Sequence, residues 1–216
     1  MMLRDGALTL IMVAAYTRVA ACAIGALRSW RSWRSVTSSK FGPVEVLAAL
    51  ETLVLALIAH PAGMHAFGAR DSTARALAAV LGAALALGYL WLLVWSVMSW
   101  RGVFSGHLII DGQQLVTAGP YRHVRHPLYT GAFLVWGSIA VGNLSVPVAL
   151  ALVVYVIPTY LAYVRSEELM LSRAFGNEYT LYASKVPRFL PFAHPLRLRA
   201  LGRTMRPGRT TRRPDG

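Results

Sequence analysis

The chain has 216 residues, of which 56% are hydrophobic and 14% charged, and its formal net charge is +13. So apolar a composition excludes an ordinary soluble domain, and a single cysteine, Cys22, excludes an intrachain disulfide or a thiolate metal cluster. The question becomes how many uncharged runs reach the roughly 20 residues that a membrane-spanning helix needs.

In chain order, the first such run is Ala7 to Leu27, whose only charge is Arg18. It lacks a small-residue cleavage site ahead of Trp30 and is read as a span rather than a signal peptide. The basic segment that follows carries Arg28, Arg31, Arg34 and Lys40. A weaker span is expected from Pro43, which suits a first helical turn, to the stop at His60-Pro61-Ala62-Gly63, with Glu45 and Glu51 inside it. Ala76 to Trp100 has no charge, and Leu128 to Val164 has no Asp, Glu, Lys, Arg or His. That last run is too long for one span, and Gly142, Asn143, Ser145 and Pro147 near its middle predict a tight helical hairpin. Because the bilayer cannot satisfy exposed backbone polar groups, the runs must be helices; the alternation of barrel strands is missing.

The expected fold class is therefore all-α: a polytopic membrane protein of about five transmembrane helices, including the C-terminal hairpin, with a cytoplasmic helical cap. Lys and Arg in the short connections put the first of them in the cytoplasm and the second outside. The N-terminus then falls outside, and residues 101–126 and everything after Arg165 face the cytoplasm, with the cell (inner) membrane as the expected location. Three regions follow: 1–112 with the N-terminal spans, 113–192 with the hairpin and its flanking motifs, and 193–216 as a basic tail. That tail holds Arg197, Arg199, Arg203, Arg206, Arg209, Arg212 and Arg213 among Gly, Pro and Thr without apolar periodicity. It is read as a disordered segment drawn to anionic lipid headgroups, not as a nucleic-acid binder. His123 and His126 have no third ligand nearby in sequence, so no metal site is expected.

Residues 119–131 read GPYRHVRHPLYTG and stand directly before the hairpin. After the hairpin comes YVRSEELMLSRAFGNEYTLYASKVPRFLPF, with Arg165 just ahead of Glu167 and Glu168. A hairpin leaves and re-enters the same face of the membrane, so the basic cluster and the acidic pair must be neighbours, although about forty residues separate them. A basic membrane flank alone has no reason to require acidic partners.

In these three segments, LVTAGPYRHVRHPLYTG, the glutamate pair and FGNEYTLYASKVPRFLP, the chain resembles the isoprenylcysteine carboxyl methyltransferase and phospholipid methyltransferase superfamily of integral membrane enzymes. The resemblance covers about Leu115 to Phe192. It implies S-adenosylmethionine as methyl donor and a membrane-soluble lipid or isoprenoid acceptor, with a carboxylate giving a methyl ester as the preferred chemistry and a phospholipid amine as the alternative. Gln113, Gln114, Leu115, Val116, Tyr121, His126, Pro127, Leu128 and Tyr129 fall at the family's cofactor-contacting positions, with Glu167 facing the cationic end of the cofactor. The helix that Pro127 opens favours the cofactor carboxylate at its N-terminus. Arg125 suits that carboxylate or a substrate carboxylate, Arg165 suits an acceptor carboxylate, and Glu168 is the candidate base where the acceptor must lose a proton. Gly131 is expected to admit a close ligand or helix, and Pro158 to bend the final span and open a gap to the bilayer.

Blander readings stand beside these. Arg122 and Arg125 are also ordinary positive-inside residues, Tyr121 and Tyr129 ordinary interfacial aromatics, and Glu168 a solvated neighbour of Glu167. Most of FGNEYTLYASKVPRFLP reads as a helix docking across the hairpin ends, with Tyr179 and Arg188 left open. Arg18, Glu45 and Glu51 are intramembrane charges, for which a structural pair of Arg18 with either glutamate is favoured over a substrate role. A small transporter would show internal repeats, which are missing, and a non-catalytic scaffold would not explain the paired glutamates.

Overall fold

A computed structural model of the chain describes residues 2–32, 36–38, 50–51, 53–55, 57–58, 72–100, 109–110 and 113–191. Its first helix, α1, runs from Met2 to Ser32 and its second, α2, from Ser72 to Ser99. Between them the described residues from 50 to 58 are helical. The span expected over 43–60 is thus seen only in that part; Pro43, Glu45 and His60 lie outside the described residues, as does the tail 193–216. In α2 the hydroxyls of Ser96 and Ser99 donate to the carbonyls of Leu92 and Trp95, so these two side chains are satisfied within their own helix.

The hairpin forms where the sequence predicts it. Helix α3 (Pro127–Gly142) opens on a proline, whose missing N–H is harmless at a helix start. It ends as the Asn143 amide donates to the Ile139 carbonyl. Ser145 then accepts from the Val148 N–H and caps α4 (Val146–Ala151). A π-helical stretch, Leu152–Val156, follows, and α5 (Ile157–Lys185) continues in line. Pro158, expected to bend this span, lies in the first turn of α5, and the non-helical φ and ψ inside that helix are at Gly176 instead.

Charge enters the final helix at Arg165, yet the helix does not stop there. The apolar helix that begins at Val146 runs on to Lys185, 40 residues in all. That is about 60 Å of helix, twice the hydrocarbon thickness of about 30 Å. The stretch from Arg165 onward therefore stands outside the hydrocarbon core, and it turns at Gly176, whose φ of 54° lies in the left-handed region that glycine tolerates. This extension is the helical cap.

Helices Met2–Gly25, Thr73–Ser99 and Val146–Lys185 are long and apolar enough to cross a membrane, and Pro127–Gly142 is a shorter apolar helix. The protein is an integral membrane protein of all-α class. A minor addition is an antiparallel ribbon of β1 (Val36–Ser38) and β2 (Ile109–Ile110).

The core lies where α1, α2, α3 and α5 meet, around Ile11, Ala14, Ala86, Tyr89, Trp136, Val156 and Tyr160. Helices α2 and α3 pack most extensively. A Cβ at Gly82 would sit 2.6 Å from the Gly142 Cα and 2.6 Å from the Ser138 carbonyl oxygen, so this crossing requires glycine. Gly131 admits a helix rather than leaving open space: a Cβ there would lie 2.9 Å from the Tyr89 ring. Arg18 and Glu51 meet indirectly. The Arg18 guanidinium donates to the Tyr160 hydroxyl (2.6 Å), and that hydroxyl donates to Glu51 (2.9 Å), whose other oxygen accepts from the Trp136 indole.

Candidate functional site

The site lies where the N-terminal end of α3 meets the part of α5 beyond the hydrocarbon core. Residues Gly119–Arg122 form a single 3-10 turn, and a short non-helical stretch brings the chain to His126, which caps α3. From that position the buried His126 ring faces both glutamates. Its Nε2 lies 3.2 Å from Glu168 and its Nδ1 3.7 Å from Glu167. Arg125 reaches the same Glu168 oxygen at 3.0 Å. The segments that the sequence holds forty residues apart are thus in contact.

A third segment closes over them. After α5 ends, the carbonyls of Pro187 and Arg188 accept the backbone N–H groups of Arg125 (2.8 Å) and His126 (3.1 Å), and the Phe189 carbonyl accepts from the Thr130 hydroxyl (3.2 Å). The Arg188 guanidinium clasps Glu168 from the far side with contacts of 2.6 to 3.1 Å. Tyr182 donates to the Tyr121 carbonyl at 2.8 Å, and the Phe189 ring sits 6.0 Å from that of His126 and 5.3 Å from that of Phe133.

Electrostatics separates the two glutamates. Burial by itself pushes the Glu168 carboxyl up, but hydrogen bonds from His126 and Arg188 and the charge of Arg125 hold it down at about 2. Those bonds in turn raise Arg188 above its ordinary value. A carboxylate so committed is a weak proton acceptor, and its geometry is that of a clasp between three segments. Glu167 instead accepts from the Tyr129 hydroxyl. The Tyr129 ring is packed among those of His126, Tyr160 and Tyr163 at 5.6, 5.2 and 5.8 Å. Burial raises the phenols of Tyr121, Tyr179 and Tyr182, which keeps them as neutral donors.

Of the residues named from the sequence, Arg125, His126, Tyr129, Glu167 and Glu168 come together, with Pro127 buried beneath them and Leu128 partly buried. Tyr121 is tied to the cap through its carbonyl. Gln113, Leu115 and Val116 are partly buried and Gln114 exposed in a run without regular secondary structure that leads to the 3-10 turn. Arg165 is exposed on α5 and takes no part in the ion pairs of this cluster. Arg188 and Tyr179, left open by the sequence, belong to the site, and Tyr182 and Phe189 are additions. The only signal for them was an arginine and aromatics in a segment otherwise suited to docking.

Two buried donors here have no hydrogen-bond partner among the described residues: the Arg125 Nε and the Tyr179 hydroxyl, which lies within electrostatic reach of Arg125, Glu167 and Glu168. Donors without an acceptor, an adjacent carboxylate and a wall of aromatic rings fit a ligand that carries a carboxylate, a cation and a flat ring. S-adenosylmethionine has all three.

Residues 77–178 match the phospholipid methyltransferase family. Protein-S-isoprenylcysteine O-methyltransferase B of Arabidopsis thaliana is 38% identical over 85 residues, covering 39% of this chain and 43% of that protein. The nickel-cobalt-cadmium resistance protein NccN of Alcaligenes xylosoxydans xylosoxydans is 38% identical over 89 residues, 39% of this chain and 40% of that protein. Protein-S-isoprenylcysteine O-methyltransferase of Schizosaccharomyces pombe is 33% identical over 116 residues, 49% of this chain and 48% of that protein. The chain spans less than half the length of these relatives. Over residues 77–178 the chain is thus similar to the phospholipid methyltransferase family, and part of it to protein-S-isoprenylcysteine O-methyltransferases.

Proposed function

We propose that the protein transfers a methyl group from S-adenosylmethionine to a membrane-soluble lipid or isoprenoid carboxylate, giving a methyl ester. The observation that carries this is the division of labour at the glutamate pair: Glu168 is consumed by three cationic or ring donors, while Glu167 stands beside the aromatic wall and is suited to the cationic end of the cofactor. Arg125 Nε and the Tyr179 hydroxyl are suited to its carboxylate. Bound there, S-adenosylmethionine supplies a methyl group on a sulfonium, which is already a good leaving group.

The remaining work is positioning. A carboxylate acceptor needs no base, whereas an ammonium would have to lose a proton, and Glu168, held at about 2, is a poor recipient. That favours esterification over the alternative, N-methylation of a phospholipid amine, which the family match keeps in play. The polar cofactor enters from the cytoplasm and the acceptor from the bilayer, in the cell membrane with the N-terminus outside.

The test is calorimetry with S-adenosylmethionine on detergent-purified protein, followed by transfer of a labelled methyl group to an S-isoprenylated cysteine or to phosphatidylethanolamine. Wild type should bind, and Glu167→Gln should bind at least about tenfold more weakly, the loss expected for a charge-assisted contact. A label released by mild base marks an ester; a base-stable label marks an N-methyl group. Absence of binding to wild type would overturn the proposal.

A further inference from the structure

We propose that Arg18 and Tyr89 form an intramembrane subsite that takes a neutral oxygen of the lipophilic acceptor: a carbonyl, ester or amide group. Both residues are buried in apolar spans, Arg18 in α1 and Tyr89 in α2. Among the described residues, the Nε of Arg18 and the hydroxyl of Tyr89 have no hydrogen-bond partner, and the two side chains lie within electrostatic reach of each other. The rest of the network is complete. Both oxygens of Glu51 are taken, by Trp136 and Tyr160, and Arg18 also donates to Tyr160. What remains is the Arg18 N–H, a donor only, and the Tyr89 hydroxyl, and one acceptor oxygen would satisfy both.

Charge selects its kind. Arg18 and Glu51 cancel, and a further carboxylate would leave a net negative charge in the membrane interior, where it is least tolerated. A neutral oxygen satisfies both donors without that penalty. Position ties the subsite to the reaction. The Tyr160 ring packs 5.2 Å from that of Tyr129, whose hydroxyl reaches Glu167, and the Tyr89 ring packs on Gly131 in the opening turns of α3. Along α5, Tyr160 precedes Glu167 by two turns, or about 10 Å. The π-helical stretch Leu152–Val156, of a kind often found at functional sites, stands immediately before this level. An acceptor whose reactive end lies beside Glu167 then carries its neutral oxygen about 10 Å deeper along the helix axis. The inference rests on the reading of the chain as a methyltransferase with a bilayer-borne acceptor.

The experiment is direct binding, so that it does not depend on activity. Labelled oleamide, a long-chain neutral amide, is titrated into the full chain in detergent, against the parent alkene as control. Oleamide should bind better than the alkene. Tyr89→Phe, which removes one donor at nearly constant volume, should weaken oleamide about 2- to 10-fold, the worth of one hydrogen bond, and leave the affinity for S-adenosylmethionine unchanged. A purely structural role, or an ordered water filling the gap, predicts unchanged oleamide affinity; that result, or equal binding of the alkene, overturns the subsite. Failure of S-adenosylmethionine to bind wild type overturns the proposed function instead. Thermal unfolding of Tyr89→Phe checks that the variant is folded.

Discussion

Two adjacent glutamates on one helix meet different surroundings because each residue turns the helix by about 100°. Glu168 meets Arg125, His126 and Arg188, whereas Glu167 meets Tyr129. The pair was legible in the sequence, but their separate roles were not, since those depend on what packs against each face. A pH prediction follows from Glu168. Its folded value of about 2 lies below the ordinary 4.5, so its ion pairs stabilise the fold above pH 4.5, and that contribution is lost as pH falls from about 4.5 towards 2. Because Arg188 is partly open to water, the contribution is discounted to about 1–2 kcal/mol. Arg188→Ala should lower stability at pH 7 by a similar amount and flatten the acid limb, as read by thermal unfolding in detergent across that range. An unaltered limb would show that Arg188 does not hold Glu168.

At the scale of elements, the hairpin turn was readable because it uses strong local signals: Gly142 at a helix end, Ser145 as a cap and Pro147 in a first turn. The end of α5 was not. Loss of apolar character after Val164 marks the edge of the hydrocarbon, but Arg, Ser, Glu and Leu are acceptable helix formers and the helix continues through them. The α2–α3 crossing belongs to this scale too. With the Gly142 Cα and the Ser138 carbonyl at 2.6 Å from a Cβ at Gly82, Gly82→Ala should separate the helices and destabilise the protein by about 1–3 kcal/mol. Gly88→Ala, where the nearest atom is a Leu134 methyl at 3.7 Å, is the control and should be nearly neutral in the same unfolding assay.

For the whole molecule, the proposed orientation sets the hairpin turn outside and the cap inside. In a Cys22→Ala background, a cysteine at Val146, which is exposed beside the turn, should react with an impermeant maleimide applied to intact cells. One at Ser184, exposed on the cap, should react only after lysis. The reverse pattern would invert the topology and move the site to the outer face. The same proposed arrangement would let the proposed polar cofactor and apolar acceptor reach one site, since the cap would meet water while the lower turns of α3 and α5 remain among the spans.

The sequence alone determined the membrane class, the hairpin and the meeting of the RHP segment with the glutamate pair, because each follows from composition or from local rules that hold whatever surrounds them. Only the tertiary structure decided that Arg188 returns to clasp Glu168, that Arg18 reaches Glu51 through Tyr160, and that Tyr89 packs on Gly131. Those contacts join residues far apart in the chain, and their partners are chosen by helix rotation and side-chain packing, which leave no periodic or local mark in the sequence.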